Sequence, residues 1–162
     1  MSSPESARFL GGEPTISSRF VFEVDGVEIG IFQSVTGLQV TSRTENVTEG
    51  GQNGFTYRLP GRLEWPNITF ARGLTDADAL FEWMNKVSGE GFAAAGNKLE
   101  RSTGAITALS DNGTRLRAWS LEGVFPVRWT GPDFSVGRHD PLSEELEIAH
   151  HGFRSSAPSG PR

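Results

Sequence analysis

The sequence predicts a mainly β fold, an antiparallel barrel or sandwich of two packed sheets with one flanking α-helix. Three observations carry that expectation. Apolar and polar residues alternate along several short runs, the pattern of strands with one buried face. Asp25-Gly26 and Asp111-Asn112-Gly113 each separate two such runs, and these residue types tolerate the positive φ of tight hairpin turns. Only one stretch, about 76–88, switches to spacings of three and four, the period of a helix face.

Bulk composition narrows the function. A chain of 162 residues suits one domain. With 36% hydrophobic and 22% charged residues it has the balance of a globular protein. Fifteen basic against twenty acidic side chains give a formal charge of −5, which argues against a nucleic-acid face built on net charge. The absence of cysteine excludes disulfides and thiolate metal sites. No apolar run approaches the roughly 18 residues of a membrane helix, and no signal-peptide order opens the chain. The expectation is cytoplasmic synthesis and no membrane insertion by this chain.

Taken in order, residues 1–18 are rich in Ser, Pro, Gly and Glu, with only Phe9, Leu10 and Ile16 to bury. They read as a flexible arm ahead of a domain spanning 19–153. Phe20, Phe22 and Val24 share one face of the first strand, and Val27, Ile29 and Ile31 follow on the return. Residues 38–47 look extended but more polar. Then come Glu49, Gly50, Gly51, Gln52, Asn53 and Gly54, a run with three glycines and nothing apolar. Such a connection is exposed and suited to contacts with a neighbour. Leu63, Trp65, Ile68 and Phe70 mark a strand with a phase slip at Pro66.

The helix follows, with Ala77, Leu80, Phe81, Met84 and Val87 on its apolar face. Thr75 is the expected cap, Asp76 and Asp78 favour the positive end of the dipole, and Ser88-Gly89 is the stop. Residues 98–109 and 114–122 form a second hairpin, Pro126 is expected to break the next run, and residues 142–149 alternate as a last strand. Residues 154–162 read as a disordered tail.

Catalytic chemistry finds no support. No nucleophile elbow or phosphate-cradling glycine loop is present. His150 and His151 are neighbours and point to opposite faces of a regular strand, so they cannot chelate one ion. Glu145 and Glu147 read as a solvated or pore-lining edge. Trp65, Trp83, Trp119 and Trp129 read as core, because Arg115, Arg117 and Arg128 are too few for a stacking platform that binds single strands. No catalytic, cofactor-binding or metal residue is expected, and no single change among His139, His150 and His151 is expected to matter.

An ordered set of motifs carries a resemblance. Phe22-Glu23-Val24-Asp25-Gly26 is followed by Phe32-Gln33-Ser34-Val35-Thr36-Gly37-Leu38 and the Glu49-Gly50-Gly51-Gln52-Asn53 run. Pro66-Asn67-Ile68-Thr69-Phe70, Arg72-Gly73 and Phe81-Glu82-Trp83 come next. Trp119, Pro126-Val127-Arg128-Trp129-Thr130-Gly131-Pro132 and Glu145-Leu146-Glu147-Ile148-Ala149-His150-His151-Gly152 complete it. Across residues 19–153 the chain resembles tail tube proteins of contractile phages and inner tube proteins of phage-tail-like contractile injection systems, with distant kinship to the Hcp tube. The arm is longer than the family minimum, and His151 stands where an acidic residue is common.

The resemblance implies a structural subunit of hexameric rings stacked into a tube around a lumen. It implies the same chain, a surrounding sheath protein, and baseplate and cap proteins as partners, with effector proteins or DNA as cargo. Such a subunit would be assembled in the cytoplasm and end in a virion tail or an injection particle. Two alternatives stand beside it: a capping or baseplate paralogue that makes a single ring, and a monomeric barrel that binds a small ligand. Sheet edges favour assembly, because an unpaired edge is a liability unless it is covered or used.

Overall fold

Ten strands and one helix are formed by the residues that the computed structural model describes, namely 19–48, 50–51, 54, 56–76, 78–88, 93, 96, 101–137 and 139–156. The strands are β1 (Arg19–Val24), β2 (Val27–Phe32), β3 (Ser34–Thr36), β4 (Thr41–Val47) and β5 (Tyr57–Glu64). Then come β6 (Ile68–Gly73), the helix α1 (Ala79–Val87), β7 (Ser102–Leu109), β8 (Arg115–Thr130), β9 (Ser143–Ala149) and β10 (Phe153–Ser156). The expected arm at 1–18 lies outside the described residues.

Eight strands form one antiparallel sheet in the order β2-β1-β7-β8-β9-β6-β3, with β10 on β8. The sheet folds over on itself, because β2 and β3 at its two ends are separated only by Gln33. Its turning point is β8, sixteen residues long, which pairs with β7 along one part and β9 along the other. Pro126 does not end that strand. A register shift lies beside it, and pairing with β7 has already stopped at Val124. The missing N–H is thus absorbed at a bulge.

The two halves of the folded sheet close on an aromatic core. Phe22 of β1 stacks on Phe70 of β6 at 4.5 Å between ring centres, joining one half to the other. Phe32 lies 5.0 Å from Phe70, and Trp83 of α1 meets Phe22 edge-on at 5.8 Å. The expected barrel of packed layers is therefore present, with the layers as halves of one sheet. A separate two-stranded sheet is formed by β4 and β5.

Local departures have physical causes. In β2, Ile29 and Phe32 are buried while Val27 and Ile31 are exposed. The β1–β2 register shifts between Phe22 and Glu23, and a Cβ on Gly30 would collide with the Arg72 guanidinium. The helix starts at Ala79, not 76, and its N-cap residue is Asp78, whose side chain makes no capping hydrogen bond. Its buried residues are Leu80 and Trp83, with Met84 and Val87 partly covered. Phe81 turns outward and rests edge-on against Trp129 at 4.8 Å. At the other end, β10 pairs with β8 as far as Ser156↔Ala118.

Candidate assembly interface

The expected contact loop turns out to be the tip of a hairpin. Strands β4 and β5 pair with each other from Thr41↔Glu64 to Val47↔Tyr57 and, among the described residues, with no other strand. All of β4 is exposed, as is β5 apart from Gly61, which is half-buried. A hairpin without a third strand or a covering helix is marginal in water. Both of its outer edges also carry backbone groups suited to pairing with another chain. Gly50, Gly51 and Gly54 lie in open space at the tip, Gly51 with φ +102°. Glu49, Gln52 and Asn53 lie outside the described residues.

Side chains on the hairpin face away from its own core. Val47 lies opposite Tyr57 and Glu45 opposite Leu59, so Val47, Tyr57 and Leu59 share one face. A bulge then turns the strand, and Leu63 emerges on the other face opposite Ser42. Gly61 is required there, since a Cβ would sit 2.8 Å from the Arg43 carbonyl oxygen. Tyr57, Leu59 and Leu63 are 46%, 52% and 52% exposed. Arg43 and Glu64 pair at 2.6 Å near the base. The sequence reading joined Leu63, Trp65, Ile68 and Phe70 into one strand. Trp65-Pro66-Asn67 instead separates the hairpin from the body, so the phase slip at Pro66 was the boundary between two sheets.

A second exposed apolar element went unnoticed in the sequence. Phe134, 77% exposed, and Val136, fully exposed, lie in the connection between β8 and β9. Exposed Leu74 and Leu142 meet at the foot of that connection through a 3.1 Å backbone hydrogen bond from Leu74 N–H to the Leu142 carbonyl. Single exposed apolar residues are ordinary. The signal available was two large apolar side chains inside a Gly-Pro-Asp turn sequence with no strand to bury them.

Polar side chains elsewhere hold the body together. Glu145 is exposed and Glu147 half-buried on the outer face of β9, whereas Glu144 points into the core. The Glu147 carboxyl lies below its ordinary range. The Asn67 amide, donating to it at 2.9 Å, is the main cause; partial burial opposes, and the hydrogen bond and charge of Arg128 add to the lowering. For Asp25, burial pushes the carboxyl up. Donors from Ser102 and Thr103 and the charge of Lys86 outweigh it, leaving a net lowering. His150 is buried and His151 exposed. No group of three or more metal-ligating side chains occurs among the described residues, and none of their helices is long and apolar enough to cross a membrane.

The sequence model for the T4-like virus tail tube protein gp19 matches residues 17–154, nearly the whole chain. The chain belongs to this family. Tail tube proteins are structural, not enzymatic, so this is a component of a phage tail or of a tail-like injection particle. Solved structures agree with the tail tube assignment. A subunit of the PVC extracellular contractile injection system, in its extended sheath–tube complex, is 25% identical with a TM-score of 0.72, covering 97% of this chain and 99% of that one. A subunit from the PVC sheath/tube terminator is 26% identical with a TM-score of 0.72, covering 91% and 99%. The tube-terminating cap of the anti-feeding prophage contains a chain of the same fold, 22% identical with a TM-score of 0.72, covering 90% and 92%. No curated protein sequence matches significantly.

Proposed function

We propose that this tail tube protein forms hexameric rings that stack into the inner tube of a contractile particle. A sheath protein surrounds the tube, baseplate and cap proteins bound it, and effector proteins or DNA pass through its lumen. One observation carries the reading: a β-hairpin that pairs with no other strand among the described residues, exposed on both faces and tipped with glycines. Residues 49–54 at the tip contact the adjacent subunit, and each ring orders the hairpins of the next. Repetition around a ring offsets the ordering cost of every contact. Head-to-tail stacking propagates without closing, as a tube requires.

A second reading, a single-ring capping paralogue, is favoured by the similarity to terminator and cap subunits. The ligand-binding barrel is disfavoured, because Phe22, Phe32, Phe70, Leu146 and Ile148 fill the space between the layers. Electron microscopy of the purified full chain separates these readings. Long tubes support the main one, isolated rings the capping paralogue, and monomers at high concentration overturn both. Replacing residues 49–54 with a short Gly-Ser link should leave folding intact and stop tube growth. Normal tubes from that variant would remove the tip from the interface.

A further inference from the structure

The hairpin leaves the body through a joint that nothing in its own strands explains. One stem is Trp65-Pro66-Asn67 and the other begins at Gly37. The stems are in contact: Gly37 has φ +85°, and a Cβ there would stand 2.2 Å from the Asn67 carbonyl oxygen. Into this joint projects His150, which follows the last residue of β9 and is only 7% exposed. Its Nδ1 accepts a 3.1 Å hydrogen bond from Gly152 N–H. That assigns the ring proton to Nε2, which donates to the Pro66 carbonyl at 3.0 Å. A single ring thus joins the tight turn after β9 to the stem of β5.

Aromatic packing closes the joint. The Trp65 ring meets Phe153 edge-on at 5.1 Å and His150 at 6.0 Å. Trp65 also lies over Gly152, where a Cβ would be 3.2 Å from the indole and where φ is +139°. The turn is fastened to the body in its own right. His151 N–H donates to the Glu122 carbonyl at 2.8 Å, and Glu122 N–H to the Gly152 carbonyl at 3.0 Å. One side of His150 is therefore rigid, and the other holds the only stem that links β5 to β6.

We infer that His150 is a latch setting the angle at which the β4–β5 hairpin leaves the barrel, and so its register on a neighbouring subunit. The inference rests on the hairpin being the assembly element. It also revises the expectation that no single histidine matters: His150 is singled out because both of its ring nitrogens are hydrogen-bonded and its ring packs near Trp65 and Phe153. A two-stranded hairpin exposed on both faces depends on its joint to fix its direction. The stem is also tied to β9 by the Asn67 amide on Glu147 at 2.9 Å, but at Pro66 and Trp65 it depends on His150, with two discrete failures there, loss of the donor and loss of the seat.

The chain has no cysteine, so spin labels at Glu45→Cys on the hairpin and Ser120→Cys on β8 report their separation directly. Electron–electron double resonance is recorded on the full chain with and without His150→Ala, the labelled chain diluted into unlabelled chain of the same genotype. The expected result is a narrow distance distribution for the parent, a broadened or shifted one for His150→Ala, and loss of tube growth. A distribution unchanged by His150→Ala overturns the latch. A changed distribution with normal tubes keeps the latch and sinks the hairpin as the assembly element. If His150→Ala fails to fold, His150→Asn, which keeps an acceptor near Nδ1 but loses the Nε2 donor, is read the same way. Leu146→Ala controls for stability: at a similar loss of Tm it should leave the distance distribution intact.

Discussion

Arg72 and Glu144 sit directly opposite each other on β6 and β9 and form a salt bridge inside the barrel, each at most 4% exposed. Trp129 Nε1–H donates to the second carboxylate oxygen at 3.1 Å, and the guanidinium lies 5.0 Å from the centre of the Phe32 ring. Both charges are therefore engaged on several sides. Removing one partner leaves a buried charge uncompensated, so Arg72→Met or Glu144→Leu alone should cost about 3–5 kcal/mol. The double change should cost much less than the sum, because an apolar pair of similar volume needs no solvation. Urea melts of the two single variants and the double variant test this, and additive losses would show that the charges are not coupled.

The helix gives a graded series. Leu80 is fully buried, so Leu80→Ala should cost about 2–5 kcal/mol. Phe81 is partly exposed and touches Trp129 at its edge, so Phe81→Ala should cost clearly less. Asp78 makes no capping hydrogen bond, which leaves only its charge near the positive end of the helix, worth about 0.3–1 kcal/mol. Thermal melts should rank the losses in that order. A loss at Asp78 equal to that at Leu80 would mean that α1 is held by its start and not by its buried face.

How much of this was legible follows from what a sequence pattern reports. Alternation records which side chains face the chain's own core. The Asp25-Gly26 hairpin, the strand around Phe70 and the helix stripe through Leu80 were accordingly readable. Trp83 was assigned to the core and is there, but it was left off the helix face. A bulge beside Pro126 explains the misplaced break there, and another carries burial in β8 from Leu121 to Val124. A bulge changes the phase without announcing itself in composition. The hairpin was the largest loss. Tyr57, Leu59 and Leu63 alternate, yet each is about half exposed, so no pattern of burial in the core could pair them with β4. The tip alone was readable, from its three glycines and its lack of apolar residues. His150 looked like half of a failed metal pair, and only its contacts with Pro66 and Gly152 gave it a role.

Two carboxyls make stability fall in acid. Asp25 and Glu147 both lie below their ordinary range in the folded chain, so the unfolded chain takes up protons first as pH drops. Their contribution is complete above the unfolded carboxylate pKa of about 4 and disappears as pH falls through the folded values. Asp25 accepts from Thr103 N–H at 3.0 Å and from its hydroxyl at 3.2 Å. Asp25→Asn should therefore lower Tm at pH 7 and narrow the gap to wild type as pH falls below about 4. A gap independent of pH would assign the loss to turn geometry, since Asp25 also holds φ +50°, and not to charge.

The hairpin can be tested without touching the core. Leu59 is half exposed on a strand that, among the described residues, pairs only with β4, so Leu59→Lys should alter Tm very little, within about 0.5 kcal/mol of stability. The same change places a charge in whatever the Val47–Tyr57–Leu59 face covers. A buried interfacial lysine without a partner costs several times more than a surface one, and in a tube the loss recurs at every subunit. The expected outcome is a protein that melts like wild type and does not extend tubes, with Leu63→Lys testing the opposite face in the same way. Static light scattering follows growth and calorimetry follows folding on the same samples. If Leu59→Lys extends tubes at the wild-type rate and Leu63→Lys does not, the neighbour sits on the Ser42–Leu63 face. If both extend normally, the faces of this hairpin are not the interface, and the exposed Phe134 and Val136 become the next surface to change.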